Sequence, residues 1–349
     1  MRRVLGIETS CDETSAAVVT VDAAGAPRVA GLAILSQDVH RIFGGVVPEL
    51  ASRAHVTAIG PVVDRALAEA GCGLDDVDGI AVTRGPGLVG ALLVGLMFGK
   101  ALAWRRGVPL IGVHHLEGHL FAPRLEHPDL APPFVALLVS GGHTLLLDVP
   151  AWGAYRVLGR TLDDAAGEAF DKAAKLLGLP YPGGPAVERL AREAEGPAPV
   201  TLPRSMLGEL RHDGPQRYAF SFSGLKTALL RAVQASADVP RERAGLARAF
   251  QDAVVEVLAA KAAHAAAALG RPAIVAGGGV ACNQALLAAL AAAAPKGCHV
   301  VAASPRLNTD NAAMIAAAGA WRLARGERDG PALEPADTLP LPGLLAAAA

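Results

Sequence analysis

The sequence predicts an α/β protein of two duplicated lobes with mixed sheets, and two observations carry that prediction. Short apolar segments of strand length come in threes, at residues 4–35 and again at 134–158, and each trio gives way to alternating helical and strand patterns. The chain has 349 residues, enough for two domains that each bury a core. A repeat of this length is an internal duplication. Its polar hairpin turns, in equivalent places of the two lobes, are expected to face each other across a ligand cleft.

Residues 4–7 and 15–21 read as strands joined by the polar turn 8–14, with a third strand at 29–35. A helix follows over 48–70, then a strand at 79–83, a helix entry at Gly85-Pro86-Gly87, and a strand at 110–113 that ends just before His115. The pattern restarts with strands at 134–139, 144–149 and 155–158, and helices at 165–177, 185–195 and 224–235. A long helix over 241–269 places Leu246, Phe250, Val254, Val257 and Leu258 at helical spacing. Strand 273–276, helix 283–294, strand 299–302 and helix 311–323 close the series. The Pro-rich stretch 123–133 reads as a linker, giving a first lobe over 1–130, completed by helix 311–325, a second lobe over 131–310, and a tail at 330–349.

Thirty-two basic residues against 33 acidic ones leave a net charge of −1, so no global field draws nucleic acid or an anionic membrane, and an RNA partner has to be held by local patches. Cys11, Cys72, Cys282 and Cys298 are far apart without a CxxC pair, which argues against a zinc knuckle or a secreted disulfide framework. The longest apolar run, 88–98, is too short to span a bilayer. The expectation is a soluble cytoplasmic protein with no membrane association.

Chemistry is concentrated at His115-Leu116-Glu117-Gly118-His119. Imidazoles four residues apart share a helix face and can grip one ion. The spacing suggests a zincin protease, but there the acid follows the first His directly. Glu117 sits two residues from each His and points roughly 200° away, so it is badly placed as a base on metal-bound water. The turn Asn308-Thr309-Asp310-Asn311 offers a carboxylate as third ligand, although an Asp there could simply cap the last helix. Two His and one carboxylate suit Fe(II), and zinc accepts the same set.

Turns of small and hydroxyl residues present backbone N–H groups that hold phosphate. Thr9-Ser10, Ser140-Gly141-Gly142-His143, Gly183-Gly184 and Gly277-Gly278-Gly279 are of this kind and recur in equivalent places, which points to a nucleotide. Neither a Walker A motif nor GxGxxG is present. Glu168 and Asp171 share a helix face and either hold ribose hydroxyls or form a solvated face with Lys172 and Lys175. Asp12 and Glu13, in the first hairpin turn, are candidates for polarising a reacting group.

Nine segments, in order from the first strand to the last helix, resemble one family: VLGIETSCDET at 4–14, VPELASR at 47–53, HLEGH at 115–119, VSGGHT at 139–144, DDAAGEAFDK at 163–172, YPGGP at 181–185, FSFSGLKT at 220–227, GGVACN at 278–283 and TDN at 309–311. The chain resembles the TsaD/Kae1 family, catalytic subunits of tRNA N6-adenosine threonylcarbamoyltransferase. The resemblance implies the actin-like, hexokinase and Hsp70-type (ASKHA, ribonuclease H-like) fold, with a nucleotide cleft between the lobes. It implies that one divalent metal, Fe(2+) first and Zn(2+) second, is held by His115, His119 and Asp310. It also implies that Leu138, Val139, Ser140, Gly141, Gly142, Asp171, Gly184 and Asn283 contact the adenylate, with Glu188, where many relatives have Asp, as a ribose contact. The implied reaction moves a threonylcarbamoyl group from threonylcarbamoyl-AMP to N6 of adenosine 37 in tRNAs reading codons that begin with A, with Asp12 and Glu13 as the catalytic candidates. Implied partners are tRNA, a paralogous TsaB-type subunit and a small TsaE-type P-loop ATPase. The competing readings are a metal-dependent glycoprotein endopeptidase and a kinase of the same fold.

Overall fold

A computed structural model describes residues 2–345. In chain order the elements are β1 (Arg2–Glu8), β2 (Glu13–Val21), β3 (Pro27–Ser36), α1 (Pro48–Glu69), β4 (Gly79–Gly85), α2 (Val89–Arg106), β5 (Leu110–His114) and α3 (His115–Phe121). There follow β6 (Phe134–Val139), β7 (Thr144–Ala151), β8 (Ala154–Arg160), α4 (Ala166–Leu176), α5 (Gly183–Arg192), α6 (Ser223–Ala235) and α7 (Val239–Leu269). The last are β9 (Ala273–Gly277), α8 (Gln284–Ala293), β10 (His299–Ala302), α9 (Pro305–Asn308) and α10 (Ala312–Ala324).

The strands form two five-stranded sheets, ordered β3-β2-β1-β4-β5 and β10-β9-β6-β7-β8. In the first, β1, β2 and β3 form an antiparallel meander and β4 and β5 add in parallel beside β1. In the second, β6, β7 and β8 repeat the meander and β9 and β10 repeat the parallel additions beside β6. The shared topology is the duplication that the two strand trios predict. Its sequence basis is visible at the centre of the first sheet, where Val4, Leu5 and Ile7 of β1 and Ile80, Ala81 and Val82 of β4 are buried on both faces. Strands covered on both sides read as continuous apolar runs instead of alternating ones.

The chain divides into two compact units, 1–130 with 303–342 and 131–302 with 343–349. Two boundaries differ from the sequence reading. Residues 303–310, expected to end the second lobe, belong to the first unit. The expected tail at 330–349 is split: Leu333 is buried in the first unit's core and Ala336 N–H donates to Arg84 O, whereas Leu345 N–H donates to Tyr155 O in the second unit. Apart from the one-turn α9, these stretches are irregular chain, and a single turn is too short to leave a periodic signature. Residues 346–349 of the alanine run lie outside the described residues.

In the first unit two helices approach the sheet so closely that glycine is required. A Cβ on Gly99 of α2 would stand 2.3 Å from Val82 Cγ1, and one on Gly6 of β1 would stand 2.2 Å from the Ala312 carbonyl of α10. The alanine-rich α10 is buried from Ala312 to Ala320, which brings the turn preceding it down onto the sheet. On its other side α2 leaves Val89, Leu93, Met97 and Trp104 exposed. In the second unit α7 starts at the Asp238 cap, ends at the left-handed Gly270, and packs Phe250 edge-on against Phe170 of α4 at 5.4 Å.

Candidate metal centre and nucleotide turns

β5 delivers the chain to the metal candidates. His114 caps α3 by accepting from Leu116 N–H, and the helix then sets the His115 and His119 rings 4.8 Å apart at 89°. Asp310 enters from the turn between α9 and α10, with Oδ1 3.5 Å from His115 Nε2 and 3.2 Å from His119 Nε2. One donor atom from each residue lies within 4.8 Å of the others. The capping task at α10 falls to Asn311, whose Oδ1 accepts from Met314 N–H at 3.1 Å and whose Nδ2 donates to Leu307 O and Thr309 O. Asp310 is thereby released from the capping role.

Neither ring nitrogen of buried His119 has a hydrogen-bond partner, and the same holds for the amide of fully buried Asn308. Such groups are rare in folded proteins, and for His119, whose Nε2 faces the Asp310 carboxylate at 3.2 Å outside hydrogen-bond geometry, a bound cation would supply the missing partner. The donor set of two imidazoles and one carboxylate fits Fe(2+) or Zn(2+).

Charge around the three residues is tightly linked. Burial works against ionisation of His115, but the Asp310 and Glu8 carboxylates hold its pKa well above the ordinary value. Burial also opposes the charge on Asp310, and the imidazoles of His115 and His119 outweigh it, holding that carboxyl well below the usual range. Glu8 at the end of β1 is lowered in the same way: burial raises it, and the charge and hydrogen bond of His115 overcome the effect. The sequence reading did not single out Glu8. The available signal was an acid closing a strand directly after the apolar run of residues 4–7.

Asp12 and Glu13 lie in and just after the β1–β2 turn. Burial, followed by the charges of Asp310 and Asp12, pushes the Glu13 carboxyl up to about 9, so it is protonated at neutral pH. The turn is braced from α1, where His55 Nε2 donates to Cys11 O at 2.9 Å and Nδ1 accepts from the Thr14 hydroxyl at 2.8 Å. Gly87 and Gly95 let the segments around α2 close over Ser10 and Thr9. Glu117 is turned elsewhere, making a bidentate ion pair with Arg322 of α10 at 2.6 and 2.8 Å. This agrees with the helical-wheel argument against it as a catalytic base.

The adenylate candidates all lie in the second unit. Leu138 and Val139 end β6, and the next turn closes through Ser140 N–H to His143 O and His143 N–H to Ser140 Oγ. Gly167 N–H at the start of α4 donates to Ser140 O, tying the turn to the helix that carries Asp171. Asp171 Oδ1 accepts from Gly183 N–H at 2.7 Å, next to Gly184 at the start of α5. Glu188 on α5 pairs with Arg192 and accepts from Gln284 N–H at 2.9 Å, adjacent to Asn283. Asn283 caps α8 and donates to Gln251 Oε1. One hydrogen-bonded chain therefore links these positions, and Asp171, Glu188 and Asn283 each also do structural work in it. Gly141, Gly142 and Gly184 have no atom within 4 Å of where a Cβ would stand, and none has a positive φ. Packing does not demand glycine there, and the open backbone is accessible to a ligand. Glu168 makes the solvated pair with Lys172, at 2.6 Å.

Asp163 was also missed. It accepts from both side chain and backbone of Ser223, from Ser221 Oγ and from Phe222 N–H, fastening the FSFSGLK segment to the end of β8.

The profile described as "TsaD: tRNA N6-adenosine threonylcarbamoyltransferase" matches residues 28–317. A protein of Gemmatimonas aurantiaca named tRNA N6-adenosine threonylcarbamoyltransferase is 59% identical, with 98% of each chain covered. One of the same name from Anaeromyxobacter dehalogenans is 53% identical over 95% of this chain and 98% of its own. Among solved structures, component A of the Acidaminococcus fermentans (R)-2-hydroxyglutaryl-CoA dehydratase superposes with a TM-score of 0.53 at 14% identity, covering 93% of this chain and all of that one, a likeness of fold alone. With a profile spanning most of its length and relatives above half identity from end to end, the chain belongs to the tRNA N6-adenosine threonylcarbamoyltransferase family.

Proposed function

We propose that this chain transfers the threonylcarbamoyl group from threonylcarbamoyl-AMP to N6 of adenosine 37 in tRNAs that read codons beginning with A. The observation that carries the reading is the meeting of His115, His119 and Asp310, which the sequence separates by nearly two hundred residues, in a chain of this family. The exocyclic amine of adenine is a weak nucleophile, and AMP is a good leaving group, so the catalyst has chiefly to position both partners and stabilise charge on the carbamoyl oxygen and phosphate. His115, His119 and Asp310 would hold a divalent ion, Fe(2+) in first place and Zn(2+) in second, which would supply Lewis-acid charge.

The chain's own residues do the rest. In the turn Ser140-Gly141-Gly142 that follows Leu138 and Val139, Ser140 N–H closes the turn on His143 O, and the N–H groups of Gly141 and Gly142 are suited to the adenylate phosphate. Asp171 and Glu188 are suited to the ribose, with Gly184 and Asn283 bordering them. Glu13, protonated at neutral pH, suits hydrogen-bond donation, which leaves Asp12 as the group that takes the N6 proton. No helix among the described residues is long and apolar enough to cross a membrane, and we place the activity in the cytoplasm beside tRNA, a TsaB-type paralogue and a TsaE-type ATPase.

The test is to incubate the chain, alone and with those two partners, with threonylcarbamoyl-AMP and unmodified tRNA, and to search digested tRNA for modified adenosine by mass spectrometry. Product is expected in the complete system and is expected to be lost in the His115→Ala, His119→Ala double variant. Its absence from the complete wild-type system would return the kinase reading to contention. The endopeptidase reading finds no support in Glu117, which is committed to Arg322.

A further inference from the structure

Glu8 is fully buried at the end of β1, and three groups converge on its two oxygens. Ser10 N–H donates to Oε1, the Thr83 hydroxyl donates to Oε2 at 2.7 Å, and His115 Nδ1 stands 3.1 Å from the same Oε2. An ionised carboxylate can only accept, so the imidazole nitrogen that faces it carries a proton. With that proton on Nδ1, the lone pair of the neutral ring is on Nε2, the nitrogen turned toward Asp310 at 3.5 Å. Ser10 Oγ also lies 3.2 Å from Nδ1, but a hydroxyl both donates and accepts and does not select a tautomer. His119 has no equivalent of Glu8, since both of its ring nitrogens lack a hydrogen-bond partner. The two imidazoles are thus held differently: His115 is oriented from behind by a carboxylate, whereas the Nδ1 side of His119 meets no such group.

We propose that Glu8 is the positioning residue of the metal centre: its carboxylate fixes His115 in the Nδ1–H tautomer and aims the Nε2 lone pair at the ion. The proposal rests on the reading that His115, His119 and Asp310 hold a divalent metal, and deepens it by assigning the group that prepares the first ligand. Glutamine at position 8 keeps the volume but has one acceptor oxygen and a donor NH2. With the NH2 toward His115, the ring proton is forced onto Nε2 and the ligand lone pair is lost. With the NH2 toward Ser10, two buried donors confront each other. Carboxylates behind metal-bound histidines characteristically govern affinity in this way.

The experiment uses the full chain and Zn2+ as a diamagnetic probe. Competition against a chromophoric chelator gives Kd for wild type and Glu8→Gln, and long-range 1H–15N NMR reads the His115 tautomer in the Zn2+-loaded wild type. Expected are a loss of about ten- to a hundredfold in Zn2+ affinity in Glu8→Gln and a His115 ring protonated at Nδ1 with Nε2 shifted by the metal. A folded Glu8→Gln that binds within about threefold of wild type overturns the proposal. So does a wild-type ring protonated at Nε2, and this measurement decides alone if the variant does not fold. Wild type that binds no Zn2+ removes the metal reading itself and the proposal with it, an outcome distinct from tight binding by both proteins.

Discussion

At the scale of single residues, Glu117 and Arg322 separate structure from chemistry inside the HLEGH segment. The carboxylate is fully buried and bidentate with Arg322, while the flanking imidazoles turn to Asp310. Replacing Arg322 with Met takes that partner from a buried charge, and the expected cost is about 3–5 kcal/mol of unfolding free energy, read from urea denaturation. Lys261 offers a second measurement. Its side chain is fully buried, its ammonium donates to Ala219 O, and burial lowers its pKa from 10.5 to about 8. The unfolded chain therefore binds the extra proton between those two values, so this residue's contribution makes stability rise with pH across that window. The wild type is expected to gain stability relative to Lys261→Met as pH goes from 8 to 10.5, seen as a rise in the Tm of wild type minus that of the variant. The pairing of the two His was legible in the sequence because helical geometry fixes i and i+4. Glu8 was not, because its significance depends on β4 bringing Thr83, and β5 bringing His115, alongside β1.

Elements decide where Asp310 goes. The turn from α9 to α10 is held by Asn311, which caps the helix and ties down two carbonyls behind it, and by Ser15 Oγ, which accepts from Ala312 N–H at 3.0 Å. Asn311→Ala is expected to cost about 1–2 kcal/mol in chemical denaturation. It is also expected to weaken Zn2+ binding, because the loop that presents Asp310 loses its anchors. Unchanged metal affinity in that variant would show that Asp310 is positioned by something else. From sequence, the TDN turn left two uses for Asp310, cap or ligand, and local pattern cannot choose between adjacent capping residues. Asn311 takes the cap because its side chain reaches Met314 N–H. The helices of regular spacing, α1 and α7 above all, were legible within a residue or two, since a repeating apolar face is encoded locally.

On the scale of the whole molecule, one topology is used twice, and the first of the two units is assembled from both ends of the sequence. The strand trios made the duplication visible. The true limits of the units were not, because residues 303–310, with only the one-turn α9, and the irregular 331–342 carry no repeating apolar face. A chain ending at Ala302 lacks α10, which covers β1 through glycine-tight contacts at Gly6, and it lacks Asp310. Such a chain is expected to expose the apolar face of the first sheet, bind a hydrophobic dye and take up no Zn2+, as fluorescence and metal titration would show.

The same discontinuity bears on the order of events during synthesis. Both histidines leave the ribosome well before Asp310, the three-hundred-and-tenth residue of 349. A growing polypeptide that has not yet reached Asp310 holds an incomplete set of the proposed donors, so uptake of metal would report that synthesis has passed that turn.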